Sequence, residues 1–392
     1  MASSPPPVVI LGAGYAGVRL ARELSVRSGG SMPILLVDRH PFHVVRTELY
    51  EIGRLAERGS NVRRWAIPIE RIVGRRAVEY REGLAESIDL GRAQLTVGGE
   101  SIAYSALALC VGSVPAYYGV PGAGQLHQAY GLLGAMRLAA ALREAESTSS
   151  ELPAGERVRV AVVGGGSTGT ELAAEIATTD WRRVCGPRAR PASVALVCGA
   201  LPFLAGLPSP LVEHARRILN EAGVVLDEGR NVARVEGSEM VLADGGHLRF
   251  DVGVWAAGIE APPLIRELPV PHGRGGRIAV EPTLEVPGHP NVFGVGDTVE
   301  LRDPRTGAFV PQTAQAAIAE ARTAAENIAR RRSGRPLVPF VFRERGMIVS
   351  LGRAKASGQV ARVTIWGRPA ALVKTLVEAE YRTSAESGSG AS

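Results

Sequence analysis

Gly12-Ala13-Gly14-Tyr15-Ala16-Gly17 and Gly164-Gly165-Gly166-Ser167-Thr168-Gly169 repeat one glycine spacing, 152 positions apart, in a chain of 392 residues. Each is entered from an apolar run: Val8-Val9-Ile10-Leu11 in the first case, Val160-Ala161-Val162-Val163 in the second. The pattern predicts a buried strand that turns sharply into a helix. A turn without β-carbons lets backbone N–H groups close on a pyrophosphate, and the positive end of the following helix favours that charge. One such motif arises in loops by chance, whereas two copies in strand–helix context point to two dinucleotides on one chain. That combination usually means a flavin reduced by a nicotinamide, so the chain reads as a redox enzyme.

Working outward, the first unit predicts strand 8–11, helix 15–28 and strand 34–37 ending in Asp38. Asp38 stands 21 residues past Gly17, close to the ~20 at which an acid grips a ribose hydroxyl. A β-rich stretch follows at 77–111, and Pro115 to Pro121 reads as a crossover. A helical run at 128–146 leads through a polar linker, 147–156, into the second unit. That unit continues through strand 193–198, helix 209–222, strand 224–227 and paired strands near 231–243, closing at Trp255-Ala256-Ala257-Gly258. After Gly276 the chain is expected to return to the first unit, with a helix at 311–332. The predicted fold is α/β: two Rossmann-like dinucleotide-binding domains, one inserted in the other, with a short C-terminal α+β module. The expected boundaries are 8–115 with 271–335 for the outer domain, 116–270 for the inserted one and 336–383 for the module. Residues 1–7 and 384–392 read as disordered tails.

The net charge of +6 and pI near 9.5 invite a nucleic-acid partner. The 45 basic residues include two lysines, Lys355 and Lys374, leaving 45 − 2 = 43 arginines spread along the chain. Such a skew fits a GC-rich coding bias as well as any functional pressure, and no nucleic-acid partner is expected. Cys110, Cys185 and Cys198 form no CxxC, which suits a reducing cytoplasm. No stretch reaches the ~20 apolar residues of a membrane span. A cytoplasmic protein, with at most peripheral contact at the inner membrane face, is expected, with no metal site and a possible homodimer.

In these motifs the chain resembles the two-dinucleotide-binding-domain flavoproteins, and among them the type II NADH:quinone oxidoreductases. The supporting segments are the two glycine motifs, Leu36-Val37-Asp38-Arg39, Val111-Gly112-Ser113, Trp255-Ala256-Ala257-Gly258, Val292 to Asp297 and Pro311-Gln312-Thr313-Ala314-Gln315. The resemblance implies an FAD held by Gly12, Gly14, Gly17, Asp38, Arg39, Gly112, Gly296, Asp297 and Ala314. It implies NADH or NADPH held by Gly164, Gly166 and Gly169, with Ala257 and Gly258 nearby. Asp297 would meet the ribityl chain, and the helix opening near Gln312 would aim its N-terminus at the isoalloxazine. Glu171 would lie at the nicotinamide–flavin contact and Gln315 on the quinone side. Glu171 reads equally as an acid stabilised by its helix dipole, and Glu175 reads as structural.

Three departures from that family stand out. Strand 193–198 ends Val197-Cys198-Gly199 where an NADH-preferring enzyme would carry an acid, so coenzyme choice stays open. The quinone-side helix keeps Ala314-Gln315 but has Ala319 where a second glutamine belongs. The C-terminal segment carries Leu372, Val373, Leu376, Val377 and Tyr381 on one face, as a core-packing or dimer helix would. Disulfide reductases and sulfide:quinone oxidoreductases need paired cysteines that this chain lacks. The expected activity is hydride transfer from NAD(P)H to flavin, then two electrons to a quinone-like acceptor. The alternatives are a biosynthetic flavoenzyme acting on an aromatic or quinone-like intermediate and a low-turnover redox sensor.

Overall fold

The structure is a computed structural model that describes residues 5–74 and 76–387. The expected tails therefore fall partly outside it, at 1–4 and 388–392. Strand β1 (Val8–Leu11) is followed by helix α1 (Tyr15–Ser28), β2 (Ile34–Asp38), β3 (Glu79–Glu82) and β4 (Ala106–Leu109). An antiparallel meander of three strands over 85–103 lies between β3 and β4. Every residue of β1 and β4 is buried, because helices cover both faces of a parallel sheet and leave no polar side.

Helix α2 (Gly131–Ser147) leads into β5 (Arg159–Val163), α3 (Ser167–Thr178) and β6 (Ser193–Cys198). Helix α4 (Ser209–Glu221), β7 (Val225–Glu228) and β8 (Val252–Trp255) complete this unit. Its strands form a parallel sheet in the order β7-β6-β5-β8. Strands β9 (Glu285–Val286) and β10 (His289–Gly294) then rejoin the first sheet, whose order is β9-β10-β4-β1-β2-β3. The protein is thus an α/β chain with two Rossmann-like units, and the first sheet takes strands from both sides of the second.

Helix α5 (Ala314–Arg332) starts two residues after Gln312, because Thr313 caps it by accepting the Ala316 N–H at 3.3 Å. An antiparallel sheet of β11 (Gly346–Ser350), β12 (Ala356–Val360) and β13 (Val363–Trp366) precedes helix α6 (Gly367–Ser387). Two expectations are corrected here. The helix continues past 383, because Ala385 is buried and the Ser384 carbonyl accepts the Arg22 guanidinium at 2.7 Å. Of the apolar residues of α6, Tyr381 packs on Tyr15, whereas Leu372, Leu376 and Val377 are 57–61% exposed, which overturns the core-packing reading of that face and not the dimer-helix one. The buried positions are Ala370, Glu378 and Ala385. Glu378 turns inward 3.9 Å from the Lys374 ammonium, and burial raises its carboxyl to about 8, so it enters the packed face largely uncharged.

Candidate functional site

Both glycine turns sit at the carboxyl ends of central strands, where open α/β sheets hold ligands. Gly12 has φ +102°, and a Cβ there would lie 2.4 Å from the Cys110 carbonyl oxygen. A Cβ on Gly17 would lie 1.7 Å from the Gly12 oxygen, so helix and turn meet backbone to backbone. Gly164 and Gly169 repeat the arrangement against Ala256 and Gly164. Gly14 and Gly166 differ from these, because a Cβ on either would meet nothing within 4 Å. Protein packing does not demand glycine at those two positions. Bare backbone at a helix N-terminus is what an approaching pyrophosphate requires.

Beneath the first turn, Asp38 accepts the Ala13 N–H at 2.6 Å and the His40 N–H at 2.9 Å. Arg39 is exposed at the rim. His43 is buried, with Nδ1 2.9 Å from the Ala13 carbonyl and Nε2 2.9 Å from the Tyr381 hydroxyl on α6. Burial lowers its pKa to about 4, so the ring is neutral: Nδ1–H donates to Ala13 and Nε2 accepts from Tyr381. Tyr15 packs on Tyr381 with ring centroids 4.8 Å apart.

Asp297, in the turn after β10, is raised in pKa by burial and accepts the Ser113 hydroxyl at 3.0 Å. Gly112 donates its N–H to Thr298 at 2.9 Å, and Gly296 donates to the buried Glu320 carboxyl at 2.6 Å. The Gln312 amide donates to the Asp297 carbonyl at 3.2 Å. Gly112, Ser113, Gly296, Asp297 and Gln312 thereby converge on one corner, although 112 and 297 lie far apart in sequence. Ala314 and Gln315 open α5, and the Gln315 carboxamide oxygen accepts the Arg345 N–H at 3.0 Å. The Ala257–Gly258 turn is held by Ala116, whose N–H donates to the Gly258 carbonyl at 3.0 Å.

Glu171 falls one turn inside α3 and is buried. Its Oε1 accepts the Ser350 N–H at 3.0 Å and pairs with the Lys374 ammonium of α6. The ammonium also lies 3.9 Å from Glu378 and 4.2 Å from the Tyr50 ring centre. Burial pushes the Glu378 carboxyl up to about 8. One turn on, Glu175 is raised to about 7 by the same cause. Arg382 pairs with the buried Glu48 at 2.9 Å. One helix therefore reaches the first glycine turn through Tyr381 and the second unit through Lys374. Neither Lys374 nor His43 is marked as a site residue by the sequence: Lys374 is one of two lysines among 43 arginines, and the other, Lys355, forms an exposed pair with Glu221, so only the tertiary contacts distinguish it.

The three cysteines are free, with Cys110 and Cys198 buried. Among the described residues no group of histidine, cysteine or carboxylate side chains could hold a metal ion. No helix among them is long and apolar enough to cross a membrane.

Two Rossmann-like units with paired glycine turns define a two-dinucleotide oxidoreductase. The chain belongs to the pyridine nucleotide-disulphide oxidoreductase family, whose profile matches residues 6–321. It is 28% identical over 391 residues to the demethylphylloquinone reductase NdbB of Synechocystis, covering 96% of this chain and 92% of that protein. It is also 28% identical over 406 residues to the type II NADH:quinone oxidoreductase Ndh of Mycobacterium tuberculosis, covering 95% and 84%. Its fold matches NDH2 of Plasmodium falciparum, solved in complex with NADH, at TM-score 0.82, 13% identity and coverage of 96% and 95%.

Proposed function

We propose that the protein is an FAD-dependent NAD(P)H:quinone oxidoreductase. The observation that carries this reading is the pair of glycine turns left open at Gly14 and Gly166 on one chain. The quinone-reducing relatives supply the acceptor class. A flavin, when bound, would accept a hydride from the nicotinamide and pass two electrons to the acceptor.

The chain's own residues bind, orient and hold protons. The first turn and the N-terminus of α1 would bind the flavin pyrophosphate, with Asp38 beneath to take the ribose. Asp297, fixed by Ser113, would orient the ribityl chain. The N-terminus of α5 aims partial positive charge at the corner shared with Asp297, which would favour an anionic reduced ring. The second turn and α3 would bind the nicotinamide nucleotide. Ser350 and Lys374 fix Glu171, and the Glu378 carboxyl, raised to about 8 by burial, would hold an exchangeable proton at the seam between the units. Reduction of a quinone to a quinol consumes two protons as well as two electrons, so a buried proton store beside the donor site suits the reaction.

A second reading, reduction of a quinone-like biosynthetic intermediate, is favoured by Ala319 in place of a second glutamine and by the Synechocystis relative's substrate. Anaerobic titration with NADH and, separately, NADPH, watching the visible flavin band, tests both. Bleaching reversed by a soluble menaquinone analogue supports the first reading. Bleaching without such reversal supports the second, and absence of bleaching by either nucleotide refutes both.

A further inference from the structure

The two glycine turns agree in register and differ in what lies under them. Asp38 ends β2 one residue after the Leu11–Val37 pair, and Cys198 ends β6 one residue after the Val163–Val197 pair. The two residues are structural counterparts. Asp38 presents a carboxylate to its turn, bonded to the Ala13 N–H at 2.6 Å. Cys198 presents a thiol, which donates weakly to the Ala200 carbonyl at 3.5 Å and is pushed up to about 11 by burial. Gly165, the counterpart of Ala13, is bare because a Cβ there would lie 2.4 Å from the Cys198 Cβ.

A carboxylate at this strand end accepts from the adenosine 2′-hydroxyl and repels a 2′-phosphate. Neighbouring carboxylates do not replace it, because each already has a partner. Glu228, opposite Cys198 on β7, accepts the Phe203 N–H at 2.8 Å and pairs with Arg216. Asp227 and Asp244 both bind Arg230, at 3.0 and 2.8 Å. Gly199 and the exposed Ala200 add no charge. The remaining border of the strand end is Arg230, whose N–H donates to the Cys198 carbonyl at 3.2 Å, and Asn231, whose carboxamide lies against Gly199. Among the described residues, the carboxylates bordering this strand end are thus all paired, and the Arg230 guanidinium is taken up by Asp227 and Asp244.

We propose that the second nucleotide site takes NADH and NADPH with comparable affinity, because the strand-end position that would exclude a 2′-phosphate is a cysteine. The inference rests on the reading above that this unit holds the nicotinamide nucleotide. It is tested on the FAD-loaded protein by calorimetric binding of NAD⁺ and NADP⁺, which needs no turnover. The two dissociation constants should fall within about tenfold of one another. Cys198→Asp should weaken NADP⁺ by about tenfold or more through like-charge repulsion and tighten NAD⁺, because the new carboxylate accepts from the 2′-hydroxyl. Ala200→Asp, at an exposed position, should act in the same direction and serves if the buried substitution fails to fold. A wild-type preference above about tenfold for either nucleotide overturns the proposal, as do acid variants that weaken both nucleotides equally. Binding of neither nucleotide refutes the two-nucleotide reading itself.

Discussion

The first and second glycine units are built on one plan and are held by the C-terminal helix in different ways. At the first, α6 touches the turn through a neutral chain of hydrogen bonds, Tyr381 to His43 to the Ala13 carbonyl. At the second it reaches α3 with charge, Lys374 against Glu171. Beneath the turns stand Asp38 in one unit and Cys198 in the other. The comparison teaches that the turn itself is fixed by backbone sterics, while neighbouring side chains are free to diverge and set what each unit does.

The sharpest way to break the likeness is at the glycines. Gly17→Val forces a Cβ onto the Gly12 carbonyl and should cost about 3 kcal/mol or more, read as loss of soluble folded protein. Gly14→Val meets open space and should leave far-UV circular dichroism intact while flavin content falls to background. Gly166→Val should spare flavin and abolish nucleotide binding. If Gly14→Val retains flavin, the first turn is not the pyrophosphate site.

Next in size is the ionic tie. Lys374→Met leaves the buried Glu171 with only the Ser350 N–H and should destabilise the fold by roughly 3 kcal/mol, seen as a lower Tm. The double variant Lys374→Met with Glu171→Gln should recover most of that loss, because neither charge is then stranded.

A smaller effect separates the units by pH. His43 has a folded pKa of about 4, below its unfolded value, so its contribution is present above pH 6.5 and is lost as pH falls through 4. Glu146, buried on α2, has a folded pKa raised by burial to about 8. Being raised, it contributes stability below pH 4.5 that is lost as pH rises through 8. Glu146→Gln should flatten a Tm–pH profile between pH 4.5 and about 8 and leave it unchanged below pH 4.5. An unaltered slope across that window would place the loss elsewhere. Smallest of all, Tyr381→Phe removes one hydrogen bond to His43 and should lower stability by about 1 kcal/mol, measurable as a modest shift in Tm.

Much of this architecture could be read from the chain because its signals are local. Helix 15–28 and strand 193–198 stand where the residues predicted them. Helix α5 starts at 314 and not at 311, because the hydroxyl of Thr313 caps it. In the candidate site the glycines were legible, since a forbidden Cβ leaves a mark at every copy. The convergence of Ser113 with Asp297 was legible only through family likeness, as their hydrogen bond spans 184 positions.

By itself the sequence determined two strand–turn–helix units, their order and their glycine geometry, because backbone sterics act between adjacent residues. It also determined the absence of a cysteine pair. Tertiary structure alone decided how α6 rolls. Its apolar positions at 372, 376 and 377 follow a helical period yet stay exposed, while the face that packs carries Lys374, Glu378 and Tyr381. The choice depends on Glu171, 203 positions away in sequence, and on Glu48 farther still. Opposite charges repay the cost of burial only where the fold brings them together, and no local pattern records that meeting.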